Sequence, residues 1–181
     1  MMNEPINKNL CHQFSVLLSY PVSGLQNTAI MCRDSLARIS PDAACQLHEF
    51  IDFVDTADRA QIEEIYTSTF DLQPVCHPYV GYQLCGENQK RAMFLMKMQQ
   101  IYRHYDYTPG NELPDHLCEI LRFISRTNAP DCCQELIDDG VLPALEKIIQ
   151  AIENDDHPYK RLLMTLQCFL SESRTENGAL L

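Results

Sequence analysis

No Gly-x-Gly-x-x-Gly, Gly-x-x-x-x-Gly-Lys-Ser/Thr, Gly-x-Ser-x-Gly or His-Glu-x-x-His occurs in these 181 residues. The chain therefore offers no recognisable dinucleotide or phosphate cradle, no nucleophile elbow and no zincin helix. It holds nine cysteines but no Cys-x-x-Cys; Cys76 and Cys85 are nine apart, and Cys132 and Cys133 are adjacent. Structural zinc sites need closely spaced ligand pairs, which this pattern lacks. Met1 to Leu10 has no basic region followed by an apolar stretch. With an odd cysteine count and no export signal, a disulfide framework is not expected, and the chain is expected to stay in the cytoplasm. Its thiols should be reduced and mostly buried as small hydrophobes. The longest apolar runs, such as the one around Phe14 to Leu18, fall far short of the ~20 residues of a membrane span.

Positive charge is also scarce. Fourteen Lys and Arg stand against 25 Asp and Glu, a net charge of -11. Nucleic acid and anionic membrane are poor partners for such a chain, because phosphate binding needs clustered cations. Acidity favours solubility and suits a basic partner. Carboxylate pairs such as Glu63-Glu64, Asp138-Asp139 and Asp155-Asp156 are sequence neighbours and so splay onto different helical faces. They read as solvated surface, not as a general acid with its base. No catalytic constellation emerges, and no enzyme is expected.

What is present is helical periodicity, interrupted by only six glycines and without alternating strand patterns. The expected fold is all-α, a single-domain bundle of about eight to ten helices over residues 1–181, with 172–181 a frayed tail. The first two helices are expected from Asn7 to Ser19 and from Thr28 to Ile39. A third should open at Pro41 behind Ser40 as N-cap and reach Val54; a fourth, capped by Asp58, should end near Phe70. The stretch from Asp71 to Glu87 holds two prolines and two glycines, so a structured loop with one short helical turn is expected. After a helix from Asn88 to Tyr105, Pro114 should open the next, through Arg126. A short helix from Pro130 should stop at Gly140 as a C-terminal cap. Two more should run from Pro143 to Glu153 and from Pro158 to Ser173.

The helix from Asn88 is the most informative. Phe94, Leu95, Met98, Ile101, Tyr102 and Tyr105 share one face, while Ala92, Met93 and Met96 lie towards the other. A helix apolar on two sides is usually central to a bundle, although flexible methionines also suit a peptide-binding surface. Arg91 falls on an apolar side, where an unpaired charge is expensive, so it should have a carboxylate partner, Asp71 or Asp115. These three residues could equally staple the loop to its helices and touch no ligand.

Thr69-Phe70-Asp71-Leu72, Gly81 and Gly86 ahead of Lys90-Arg91-Ala92-Met93, Tyr102, and Glu112-Leu113-Pro114-Asp115-His116-Leu117 follow one another in a familiar order and spacing. Leu17-Leu18-Ser19-Tyr20-Pro21 and Pro158-Tyr159 extend the pattern over nearly the whole chain. It resembles the nitrate reductase delta subunit (NarJ) family, within the broader TorD-like group of redox-enzyme maturation chaperones. That resemblance implies an all-α fold, no catalysis and no stably bound cofactor. The implied partner is the catalytic subunit of a molybdoenzyme, bound through its N-terminal peptide while the client receives its molybdopterin. A monomer or weak dimer is expected.

Client contacts are then expected at Phe70, Asp71, Tyr79, Tyr82, Arg91, Met93, Met96 and Tyr102, and at Pro114 and His116. Glu112, Asp115 and Glu119, spaced three and four apart, are expected to form an acidic stripe beside the groove. Cys76-His77-Pro78, Leu84-Cys85-Gly86 and Ala92 depart from the family's usual residues and leave the client unspecified. The competing expectation is a metal-binding or redox-sensing helical protein, with Cys76, His77, Cys85 and Cys118 converging on zinc or an iron–sulfur cluster.

Overall fold

The structure, a computed structural model, describes residues 6–72 and 76–178. Helix dominates, and no strand is present among the described residues; Tyr79 and His116 form an isolated antiparallel bridge. Local signals set most helix starts. α1 (Lys8–Leu17) begins at Asn7, whose side chain accepts the Leu10 amide at 3.1 Å. α2 (Leu25–Leu36) begins three residues earlier than expected because Gly24, at φ 90°, turns the chain there. Ser40 caps α3 (Pro41–Gln46), with Pro41 in the first turn, where its missing amide costs nothing. That helix does not continue to Val54 but breaks at the buried Leu47 and restarts as α4 (His48–Thr56). α5 (Arg59–Tyr66) opens with a reciprocal capping box between Asp58 and Gln61 and widens into a π-turn, Thr67–Asp71.

The expected loop does contain one short helix, α6 (Val80–Cys85), followed by α7 (Gln89–His104). α8 (Leu117–Arg126) starts three residues after Pro114, with His116 as N-cap: Pro114 and Asp115 form a turn, closed by His116 N–H donating to the Leu113 carbonyl at 2.9 Å, and His116 is extended and pairs with Tyr79. Gly140 is not a cap. α9 (Pro130–Glu135), a second π-turn (Leu136–Val141) and α10 (Leu142–Ala151) run on as one rod, with Gly140 inside it and Pro143 in the first turn of α10. A proline has no amide to donate and crowds the carbonyl four residues back; the widened turn ahead of Pro143 is where the backbone absorbs this. α11 runs Pro158–Gly178, beyond the expected end at Ser173, and residues 179–181 lie outside the described ones.

α8, not α7, is the inner helix. Leu117, Cys118, Glu119, Ile120, Leu121, Phe123 and Ile124 are all buried, and α1 packs along it with α2 behind. α10 packs on α11, which in turn meets α3 and α4, so one apolar cluster runs from Leu10 to Leu170. α7 buries Arg91, Met98 and Tyr102, half-buries Phe94, Leu95 and Ile101, and leaves Met93 and Met96 exposed. The two apolar sides seen in its sequence are thus one inner face and one left in solvent.

Tyr159 sits in a buried aromatic cluster. Its ring meets Phe70 at 5.2 Å, Phe50 at 5.5 Å and Tyr66 at 5.6 Å, all edge-on, the preferred geometry for aromatic pairs. Its hydroxyl is buried and finds no hydrogen-bond partner among the described residues. An unpaired buried hydroxyl destabilises by roughly 1–3 kcal/mol. Tyr159→Phe, which keeps the ring and removes that group, is therefore expected to leave stability unchanged or raise it by up to about 2 kcal/mol. Urea unfolding checks this, and a clear loss of stability would show that the hydroxyl is bonded.

Candidate functional site

The segment from Cys76 to Gly86 is fastened to the start of α8 by backbone and by charge. Val80 N–H donates to the Asp115 carbonyl at 2.8 Å, and Leu117 N–H donates to that of Pro78 at 2.7 Å. Above this bridge lies the ion pair predicted from the apolar position of Arg91. Its Nε donates to Asp115 Oδ2 at 3.0 Å, with Asp115 wholly buried and Arg91 8% exposed. Glu87 pairs with the same guanidinium from one helical turn earlier, and the guanidinium carbon lies 5.2 Å from the Tyr79 ring centre and 5.7 Å from that of Tyr82. Burial opposes the charge on Arg91, but the bonds to Asp115 and Glu87 outweigh it, and its pKa is raised. A Cβ at Gly81 would stand 2.8 Å from both Asp115 Oδ2 and Phe94 Cδ1, so only glycine lets the segment approach this closely.

Glu119 anchors a second loop. Also wholly buried, it accepts from Tyr107 Oη at 2.9 Å, from Gly110 N–H at 3.0 Å and from Arg122 at 2.5 Å. Arg122 donates onward to Ser19 Oγ at 2.7 Å, and Tyr102 Oη to the Pro114 carbonyl at 2.8 Å. His116 is 4% exposed, and its Nδ1 accepts the Cys118 amide at 3.2 Å.

These positions divide the expected contacts. Asp115 and Glu119 form no stripe with Glu112: they are internal, fully bonded carboxylates, and Glu112 alone is exposed, accepting from Tyr79 Oη at 3.3 Å. Phe70, Arg91, Tyr102, Pro114 and His116 are likewise buried, and Asp71 is exposed and is not the partner of Arg91. Tyr79 and Tyr82 are half-buried over Arg91. Met93 and Met96 are exposed, at 65% and 62%. Glu87 was missed, although a carboxylate four residues before an arginine is a legible helical pair.

Also missed was a groove between α7 and the α9 rod. Phe94, Met98, Ile101, Cys132 and Leu136 line its inner part; Lys97, Glu135 and Asp139 edge it. It opens out towards Gln100, His104, Tyr105 and Asp131. The legible signal was the four-residue repeat Asp131, Glu135, Asp139; its meeting with α7 was not. Among the described residues no group of three or more His, Cys, Asp or Glu is placed to hold a metal, so Cys76, His77, Cys85 and Cys118 do not form one. Burial pushes the Cys118 thiol up to about 12 and Cys133 to about 11, which keeps them protonated and poor as ligands or nucleophiles. No helix of the described residues is long and apolar enough to cross a membrane.

Two of these buried side chains, Arg91 and His116, can each be tested. Arg91→Met leaves Asp115 buried and unpaired, an expected loss of about 3–5 kcal/mol in urea unfolding. Adding Asp115→Asn should recover part of that loss; a double variant no better than the single one would deny that the stranded charge is the cause. His116 carries the second test. Burial lowers its pKa to about 4, against opposing pulls from Glu119, Asp115 and Asp71 and alongside a further lowering by Arg122. Because the folded value lies below the unfolded one near 6.5, its contribution is present above about pH 6.5. It is lost as pH falls towards about 4, up to about 3 kcal/mol when fully protonated. His116→Asn keeps a capping side chain without a titration, so its stability between pH 6.5 and 4 should fall less steeply than that of the wild type in parallel urea titrations.

Comparison with known proteins agrees with this architecture. The sequence model of the nitrate reductase delta subunit family matches residues 36–173. The nitrate reductase-like protein NarX of Mycobacterium tuberculosis, in strains CDC 1551 and H37Rv, is 30% identical over 146 residues. That match covers 80% of this chain and 22% of NarX, so the chain spans about a fifth of that relative's length. A crystal structure of a protein assigned to redox-enzyme maturation, from Archaeoglobus fulgidus, shares the fold. It superposes with a TM-score of 0.64 at 20% identity, covering 94% of this chain and 98% of the other. The chain belongs to the nitrate reductase delta subunit family.

Proposed function

We propose that this chain is a system-specific cytoplasmic chaperone for a molybdopterin oxidoreductase of the nitrate reductase type. In this role it binds the N-terminal segment of the catalytic subunit, holds the apo-subunit ready for molybdenum cofactor insertion, and keeps no cofactor itself. The observation that carries the proposal is the outer side of α7, where Met93 and Met96 stand 65% and 62% exposed on a helix whose other flank borders the groove. Methionine side chains are flexible and polarisable and adapt to varied apolar partners. A helix-in-groove mode uses such anchors at three- and four-residue spacing. The net charge of -11 favours encounter with a basic segment. Nothing in this role calls on Asp115, Glu119 or His116 to touch the client; they hold the loops that support the binding side.

Calorimetric titration with synthetic N-terminal peptides of the molybdoenzyme catalytic subunits encoded in the same genome tests the proposal. One peptide should bind saturably, at a Kd on the order of 1 μM, about -8 kcal/mol. The double variant Met93→Ser, Met96→Ser should fold normally and weaken that binding at least about tenfold, about 1.4 kcal/mol. Unchanged affinity would remove this side of α7 from the contact, and saturation by none of the peptides would reject the chaperone role.

A further inference from the structure

Lys97 on α7 and Glu135 on α9 stand on opposite edges of the groove, and their ion pair, Nζ to Oε1 3.2 Å, spans it. Ile101 and Cys132 lie alongside and belong to both the narrow section and the open one. The pair thus divides a single cleft: Phe94, Met98 and Leu136 on one side, Gln100, His104 and Tyr105 on the other. Both charged side chains are about two-thirds exposed, 64% and 63%. An exposed pair of this kind is weak and easily exchanged.

The α9 wall is acidic at regular intervals, with Asp131, Glu135 and Asp139 all lining the cleft. On an uninterrupted α-helix a four-residue repeat drifts by about 40° at each step. Here the chain passes from α9 into the π-turn at Leu136, and that wider i→i+5 turn offsets the drift. The backbone irregularity therefore keeps three carboxylates in one row, about a helical turn apart. Against them the α7 wall sets Lys97 and, one section on, His104.

We propose that Lys97 is a built-in stand-in for a cation of the client. The segment that enters the groove is a basic amphipathic helix, one of whose arginines or lysines displaces Lys97 from Glu135. A second cation one turn away meets Asp131 or Asp139, and an apolar side chain fills the narrow section between Phe94 and Leu136. This rests on the chaperone role proposed above and gives it a charge pattern and an internal competitor. Exchanging one exposed ion pair for another adds little affinity but much discrimination. A neutral apolar segment leaves the Lys97–Glu135 bridge across its path, or strands both charges against its own apolar surface.

The test uses the N-terminal peptide that saturates the wild-type protein, and the same peptide with its basic residues changed to glutamine. Both are titrated into Lys97→Gln, Lys97→Arg, Glu135→Gln and Lys90→Gln. Lys90 is exposed on the same helix but outside the groove, so it reports the effect of losing a positive charge anywhere nearby. Lys97→Gln is expected to tighten the basic peptide about two- to fivefold, the range of an exposed pair, and more than Lys90→Gln does. Lys97→Arg should match the wild type and Glu135→Gln should weaken binding. In the Glu135→Gln background, Lys97→Gln should add nothing, and the glutamine peptide should not discriminate Lys97 from Lys90. Equal effects at Lys97 and Lys90, or tightening that survives the loss of Glu135, would overturn the displacement and leave the chaperone role standing. Saturation by none of the peptides would overturn both.

Discussion

Two carboxylates wholly out of solvent, Asp115 just before α8 and Glu119 in its first turn, constrain everything around them. A buried charge must be met on all sides or it destabilises by several kcal/mol. Asp115 is met by Arg91 from α7, and Glu119 by Tyr107, Gly110 and Arg122. Arg91 and Arg122 come from α7 and α8, while Tyr107 and Gly110 belong to the polar loop after α7, which could not hold itself in place. A buried ion pair adds little net stability compared with an apolar replacement. Its effect here is to select one arrangement, since any other docking of α7 or of the loop after it would leave a buried carboxylate short of partners.

The consequence reaches α7. Arg91 and Tyr102 pull the helix inward at two points, one to Asp115 and the other to the Pro114 carbonyl. Held there, α7 cannot sink further into the bundle, and its opposite side stays in water with Met93 and Met96 on it. Exposing two large apolar side chains on a helix has a cost of its own, and a buried polar clamp fixes the helix in that position.

Much of this was legible. Asn7, Ser40 and Asp58 are local caps whose hydrogen bonds involve residues three away, so their sequence context contains the whole interaction. The need of Arg91 for a carboxylate was also legible, because an arginine on an apolar stripe is costly wherever the helix lies. Periodicity fails one step further on: it finds two apolar sides on α7 but carries no sign saying which is inward. The acidic spacing of Glu112, Asp115 and Glu119 misled for a related reason, since a helical stripe of charge looks the same whether solvent or three hydrogen-bond donors cover it. Pro143 and Gly140 likewise carried the usual marks of a helix boundary, and a π-turn reconciled both with a continuous rod. The groove itself joins α7 to a rod some forty residues further along the chain, and nothing local to either segment announces the other.

The molecule thus keeps two kinds of charge. Inside, Asp115 and Glu119 sit in a low dielectric, where their bonds are strong and the penalty for breaking them is large. Outside, Lys97 and Glu135 are nearly free to exchange partners, because water and salt screen them. The role proposed above, binding a basic segment and later releasing it, would need this division. If the groove were edged by desolvated pairs, the charges that recognise a basic segment would also retain it. Exposed carboxylates would bind such a segment at an energy that thermal motion and competing cations can return. Rigidity inside and weak, exchangeable charge at the groove are therefore complementary requirements: the first presents a constant surface, and the second lets that surface be vacated.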